Sequence, residues 1–278
     1  MEPSQHQRAL AFRQLHQADD LFLMPNVWSP GSARLLADCG FAALGTSSAG
    51  LAFHHGLPDY ADSYPRDLAL RDTRAIAQAI DLPLSADTES GYGDTPEAVA
   101  DAMRLFVEAG AVGLSIEDHF GASDKLIGRG RAVERVAAAR AGCDAGGLPI
   151  VLTARAECFL TGHPDPLSEG IERLNLYREA GADCLYLPGV TSAADIATLV
   201  REVDGPINAV MGLAGAPLCV MQLRDLGVRR VSIGGSLARA SYGLLRRAAQ
   251  EMLGEGTFSF SDGQIADTEL CELFARGS

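Results

Sequence analysis

Three acidic residues in the first half of the chain stand where short apolar runs end. Asp87 and Glu89 follow Leu-Pro-Leu-Ser-Ala, and Glu117 follows Val-Gly-Leu-Ser-Ile. Carboxylates gathered at strand ends in one cavity repel one another, and a cation between them relieves that repulsion. No histidine or cysteine cluster adjoins Asp87-Thr88-Glu89 or Glu117-Asp118. This hard-oxygen donor set points to Mg²⁺, or Mn²⁺, rather than zinc. Magnesium gives up water reluctantly, so the expectation is one carboxylate bound directly and others through water, with positions left for substrate oxygens. For any single acid, helix capping or pairing with an arginine is the plain alternative.

Other chemistry-bearing residues also follow apolar runs. Thr46-Ser47-Ser48-Ala49-Gly50 offers small residues whose backbone amides can approach a carboxylate or phosphate closely, although an ordinary small-residue turn reads the same way. Arg155 ends a strongly apolar segment, where an unpaired charge is costly, so it calls for an acidic partner or an anionic ligand. Glu157 is a candidate partner. The turn Gly91-Tyr92-Gly93 matches neither a phosphate-loop nor a dinucleotide fingerprint.

These residues need elements that bring them together. Short apolar runs recur at intervals of about 20 to 35 residues, separated by segments with helical periodicity, which is the α/β pattern. The expected strands are Leu21 to Pro25, Ala42 to Thr46, Pro83 to Asp87, Val112 to Glu117, Pro149 to Arg155, Cys184 to Pro188, Pro206 to Val210 and Val228 to Ile233. Thr95-Pro96-Glu97 opens a helix with a capping hydroxyl and proline at the first position, and Glu108-Ala109-Gly110-Ala111 closes it. Glu179-Ala180-Gly181-Ala182 and Asp225-Leu226-Gly227-Val228 repeat the helix-to-strand turn. About eight such units without a long linker favour a (β/α)8 TIM barrel over an open doubly wound sheet. The expected domain is a single barrel over 1–278, with 236–278 as a C-terminal helical segment. In a barrel, function lies at the C-terminal ends of the strands, where Asp87, Glu117, Arg155 and Asn208 all fall.

Composition limits the partners. The chain has 278 residues, 47% hydrophobic and 21% charged, with 36 acidic against 23 basic residues and a formal charge of -13. That balance argues against nucleic acid and anionic membrane and for a small molecule. Six scattered cysteines form no C-x-x-C pair, and buried thiols are expected. The polar N-terminal residues lead into no signal-like core, and no run approaches about 18 apolar residues, so the expected location is cytoplasmic.

The motifs resemble those of the isocitrate lyase and phosphoenolpyruvate mutase superfamily along most of the chain. Pro25-Asn26-Val27-Trp28 with Ser32-Ala33-Arg34-Leu35, Gly56-Leu57-Pro58-Asp59, Leu84 to Asp94, Ile116-Glu117-Asp118, Thr153-Ala154-Arg155-Ala156-Glu157 and Tyr177 to Asp183 follow its order and spacing. The resemblance implies a Mg²⁺-dependent barrel that makes or breaks C–C or P–C bonds in α-oxo acids through an enolate-like pyruvyl fragment. It implies Asp87 as direct metal ligand and Glu89 and Glu117 as direct or water-mediated ligands, with Glu89 where many members have aspartate. Ser47 and Ser48 would hold the pyruvyl carboxylate. Trp28 and Asp59 would border the substrate, Arg155 would bind its carboxylate or carbonyl oxygen, and Asn208 would line the far wall. Asp59, Glu117 and Arg155 are the candidate catalytic groups. The resemblance also implies a homodimer or homotetramer, with a C-terminal helix exchanged between subunits.

One departure narrows the chemistry. Isocitrate and methylisocitrate lyases carry a Lys-x-Cys-Gly-His gate whose cysteine protonates the departing carboxylate product, whereas this chain reads His119-Phe120-Gly121-Ala122-Ser123-Asp124-Lys125-Leu126-Ile127-Gly128. Decarboxylation needs no such acid, because the departing fragment is CO₂. The expected activity is therefore that of a Mg²⁺-dependent lyase on an oxaloacetate-like α-oxo acid, through a metal-stabilised pyruvate enolate. The alternatives are a 2-hydroxy acid lyase of methylisocitrate or dimethylmalate type, a hydrolase of oxaloacetate or phosphonopyruvate, and a catalytically weak α-keto acid binding protein. Hydrolysis needs a base, for which His119, Lys125 and His163 are the nearby candidates. Phosphonate mutase activity ranks below decarboxylation, since it calls for a more basic gate.

Overall fold

The first apolar run ends at Pro25, which has no N–H to give to a neighbouring strand. In the computed structural model, which describes residues 3–59, 63–121, 125–213 and 218–276, that run becomes two short strands, β1 (Phe22–Leu23) and β2 (Asn26–Val27). Seven more follow: β3 (Leu44–Thr46), β4 (Leu84–Asp87), β5 (Gly113–Glu117), β6 (Val151–Arg155), β7 (Cys184–Tyr186), β8 (Ile207–Val210) and β9 (Arg230–Ser232). Every pairing is parallel, in the order β1-β9-β8-β7-β6-β5-β4-β3-β2. The sheet's two ends are thus two halves of one extended stretch. Met24 N donates to Val231 O at 2.8 Å on one side, and Gly45 N donates to Pro25 O at 3.0 Å on the other. The edges meet there, giving an α/β barrel with eight strand positions.

The helices between strands form as their end signals dictate. In the helix Pro96–Glu108, Ala98 N donates to the Thr95 side chain at 3.3 Å and Pro96 takes the first position. Gly110 then turns the chain into β5 at a φ of 107°, and Gly181 repeats that turn before β7 at the same angle. The main core lies between strands and helices, where Met103, Phe106, Leu114, Ile116 and Leu152 are fully buried. Inside the barrel the residues are smaller and more polar: Gly45, Ser85, Ser115, Thr153, Asn208 and Ser232. They leave space where bulky aliphatic layers ordinarily fill a barrel.

The helix Gln5–Gln17 closes the end opposite the site. Gln5 donates to the carbonyls of Val107 and Ala111 just before β5, and Phe12 lies so close to Gly113 that an added Cβ would meet its ring at 2.4 Å. At the other end of the chain the 19-residue helix Ser236–Gly254 is followed by a 3₁₀ turn and the helix Asp267–Ala275, which packs on the helix Pro30–Asp38. Among the described residues no helix is long and apolar enough to cross a membrane. All six cysteines are free, but only Cys143, Cys158 and Cys184 are buried. Cys39 and Cys219 sit at helix ends and Cys271 on the last helix, where the chain faces solvent.

Candidate active site

The strand register brings the sequence's charged ends side by side. Glu117 pairs with Arg155, Arg155 with Tyr186, and Tyr186 with Asn208 across β5 to β8. A cavity of ≈ 200 Å³ opens there, lined among others by Ser47, Ser48, Asp59, Asp87, Arg155 and Asn208. Arg155 is its electrostatic hub. Its Nη1 lies 3.3 Å from Asp87 Oδ1 and 3.1 Å from Glu117 Oε2, while its Nε donates to Glu157 Oε1 at 2.8 Å. The partner expected in Glu157 is present, together with two more carboxylates.

Three acids on one guanidinium leave excess negative charge in a buried place. Burial first, then Asp87 and Asp59, push Glu89 up to about 8. Burial also drives Glu117 well above the usual carboxylate range; Arg155 opposes the shift, whereas Glu157, Asp87 and Glu89 add to it. Asp59 is raised by burial and by Asp87, against a hydrogen bond from the Ser48 side chain. Burial acts to lower Arg155, but Glu117, Glu157 and Asp87 together hold it well above its ordinary value.

Local structure aims these groups. Asp87 N donates to Thr46 Oγ1 at 2.8 Å, and Asp87 accepts from Ser48 N at 3.2 Å and from the Ser115 hydroxyl at 3.3 Å. The Ser47 hydroxyl accepts from Gly50 N and caps the helix Ser48–His54. The serine pair thus braces Asp87 and the turn as well as lining the cavity. Glu89 has a φ of 46°, a left-handed conformation that costs a non-glycine residue about 1 to 2 kcal/mol. Its carbonyl accepts from Glu117 N at 2.9 Å, locking the β4 loop to β5, and Tyr92 OH donates to its carboxylate at 3.4 Å. Gly91, with a φ of 94°, completes that turn, so the glycines here serve backbone geometry.

Trp28 lies outside the cavity lining, packed against Gly50. Asp118 is a brace: it accepts from Glu157 N, Arg173 and Tyr177 OH at 2.8, 2.9 and 2.6 Å. The candidate bases lie outside the lining as well. His119 bridges to Leu126, His163 is half-buried, and the segment 122–124 beside Lys125 is outside the described residues.

Two lining residues escaped the sequence reading, Tyr186 and Arg230. Tyr186 ends β7, and burial holds its phenol above the ordinary range, so it is a neutral hydroxyl at neutral pH. Its ring lies 5.3 Å from the Arg155 guanidinium. Arg230 is almost fully buried and donates to Asn208 Oδ1 at 2.8 Å and Thr153 Oγ1 at 3.1 Å. It also donates to His16 Nε2 at 3.2 Å, leaving the His16 Nδ1–H to face Phe12 O at 2.8 Å. A strand-end position could have flagged Tyr186, and a cation inside an apolar run could have flagged Arg230.

A divalent cation fits this donor chemistry. Asp87 lines the cavity and raises the proton affinity of both Glu89 and Glu117, and Glu89 adds to the shift of Glu117. Among the described residues no three acidic, histidine or cysteine side chains close on one point. Asp87, Glu89 and Glu117 are the residues that would hold such a cation.

The sequence profile described as phosphoenolpyruvate phosphomutase matches residues 12–253. The chain belongs to this family. Among relatives of this phosphomutase family, oxaloacetate decarboxylase 1 of Pseudomonas fluorescens (strain Pf0-1) is 32% identical, over 86% of this chain and 84% of its own. A crystal structure from Burkholderia cenocepacia J2315, described as a candidate lyase/mutase, superposes with a TM-score of 0.93 at 48% identity, covering 98% of this chain and 96% of that one. Oxaloacetate acetylhydrolase, solved with its product oxalate, superposes at 0.86 with 27% identity and covers 99% and 96%.

Proposed function

We propose that this member of the phosphomutase family is a Mg²⁺-dependent carbon–carbon lyase that converts a small, oxaloacetate-like α-oxo acid to pyruvate. The observation that carries the proposal is the buried cluster of Asp87, Glu89 and Glu117, of which Asp87 lines the cavity beside Arg155. Asp87, Glu89 and Glu117 would hold Mg²⁺, which when bound would supply positive charge that favours the negative charge developing on the substrate. The chain's own groups do the rest. Arg155 and the Asn208 amide place fixed charge and dipole beside the substrate oxygens, and Ser47 and Ser48 hold the turn that borders its carboxylate. The C3–C4 bond breaks, CO₂ departs without the electron pair, and that pair forms the pyruvate enolate. Asp59, kept above its usual range by burial and Asp87, borders the substrate as a group able to carry a proton. The 119–128 loop, lacking a cysteine, suits a departing fragment that takes up no proton.

The test is pyruvate release from oxaloacetate with and without Mg²⁺. Turnover is expected to require the metal and to fall about 10³-fold or more in Asp87→Ala. Unchanged turnover in that variant would sink the metal role. Product analysis separates the second reading, suggested by the likeness to oxaloacetate acetylhydrolase, because hydrolysis yields oxalate and acetate. The proposed assembly is a homodimer or homotetramer, in which apolar side chains left exposed on the C-terminal helices meet a second copy.

A further inference from the structure

Cleavage by this route leaves an enolate whose C3 must gain a proton before pyruvate forms. Asp59 can carry a proton at the cavity wall, and Tyr186 is a second group there with a proton to give. Tyr186 puts a phenol on the ring of strand ends, between Arg155 and Asn208 in the register. Every other tyrosine among the described residues donates its hydroxyl within the protein: Tyr64 to Asp72, Tyr92 to Glu89, Tyr177 to Asp118 and Tyr242 to Phe53 O. Tyr186 is 9% exposed, lines the cavity, and its oxygen is neither paired among the described residues nor sealed away from the cavity. A hydroxyl open to the cavity and unpaired within the described protein is free to bond a ligand there. The Arg155 guanidinium lies 5.3 Å from the centre of its ring, and its charge favours a phenolate there while Glu157 and Asp87 oppose one.

We propose that Tyr186 is a catalytic residue, the proton donor to the carbon of the pyruvyl enolate. The proton passes from the Tyr186 hydroxyl to C3, the C2 oxygen regains its carbonyl double bond, and the phenolate recovers a proton from water entering the cavity. In reverse, the phenolate removes a methyl proton from pyruvate. The assignment rests on the pyruvate-enolate reading but not on which bond was cleaved to reach the enolate. Without the donor, enolpyruvate would leave and pick up its proton in solution with no facial preference.

The experiment follows methyl hydrogen exchange of pyruvate in D₂O by proton NMR, using the full Mg²⁺-loaded chain. The wild type should exchange, and Tyr186→Phe should exchange about 100-fold more slowly, the range for a lost general acid. The substitution removes only an oxygen with no internal partner, so the melting temperature should hold, and KM for oxaloacetate should change far less than the exchange rate. In the variant, the chiral methyl group of pyruvate formed in H₂O from oxaloacetate carrying deuterium and tritium stereospecifically at C3 should lose the wild type's facial preference. Exchange at the wild-type rate in Tyr186→Phe, or no exchange by the wild type, would overturn the assignment. A wild type that exchanges pyruvate protons but releases no CO₂ from oxaloacetate would uphold Tyr186 and instead refute decarboxylation.

Discussion

Arg155 is bound to three carboxylates before any substrate arrives, so its first task is to make the acids tolerable in one buried place. Removing it should leave those charges uncompensated. Arg155→Met is expected to lose about 3 to 5 kcal/mol in urea unfolding without metal, the cost of breaking a buried ion pair from one side. Saturating Mg²⁺ should restore part of that loss, and equal stability of the two proteins would refute the hub. Glu89 gives a pH-dependent counterpart. In the folded metal-free protein it keeps its proton up to about 8, whereas its unperturbed value is 4.5. Between those values the folded state binds more protons than the unfolded one, so this group's contribution to stability is lost as pH rises through the window. Glu89→Gln should flatten the decline and raise metal-free stability near pH 8 by on the order of 3 kcal/mol. Melting temperatures across the window, with and without Mg²⁺, check it. The acids were legible because each follows an apolar run directly. Tyr186 and Arg230 were not, since adjacent strand residues point to opposite faces and sequence alone does not say whether Arg229 or Arg230 turns inward.

Strands and helices were legible wherever end signals are local, as at Thr95-Pro96, Gly110 and Gly181, because capping and left-handed turns are set by neighbouring residues. The split at Pro25 was less so: the proline marks a break, but only the pairing partners show that its two sides join opposite ends of the sheet. Packing between helices was illegible for the same reason. Gly142 in the helix Arg129–Asp144 looks like a weak point in a helical pattern, yet it is where that helix meets the helix Pro96–Glu108. A Cβ there would lie 2.2 Å from the Ala100 carbonyl oxygen, a backbone atom that cannot rotate aside. Gly142→Ala, favourable by helix propensity, should therefore destabilise the protein by about 1 to 3 kcal/mol in chemical denaturation. A neutral or stabilising result would show that the two helices can separate at little cost.

The barrel accounts for most of the chain's apolar residues, yet its C-terminal helices do not bury theirs. Leu253 is 90% exposed, Leu245 65% and Phe258 62%, on a chain with a formal charge of -13. Leu244 and Met252 extend the exposed apolar surface of the helix Ser236–Gly254. Isolated exposed leucines mean little, but a series along one helix is costly unless something covers it. The cover proposed above is a second copy of this chain. The protein should therefore run as a dimer or larger in sedimentation at micromolar concentration, and Leu245→Glu with Leu253→Glu should shift it to monomer. Because both side chains lie outside the barrel core, the double variant should keep the wild-type circular dichroism. A wild type that sediments as a monomer would refute self-association. A monomeric double variant that still turns over oxaloacetate would show that one chain builds the Asp87–Arg155 site by itself, whereas loss of turnover with the fold intact would show that the neighbouring copy holds the cavity mouth in place.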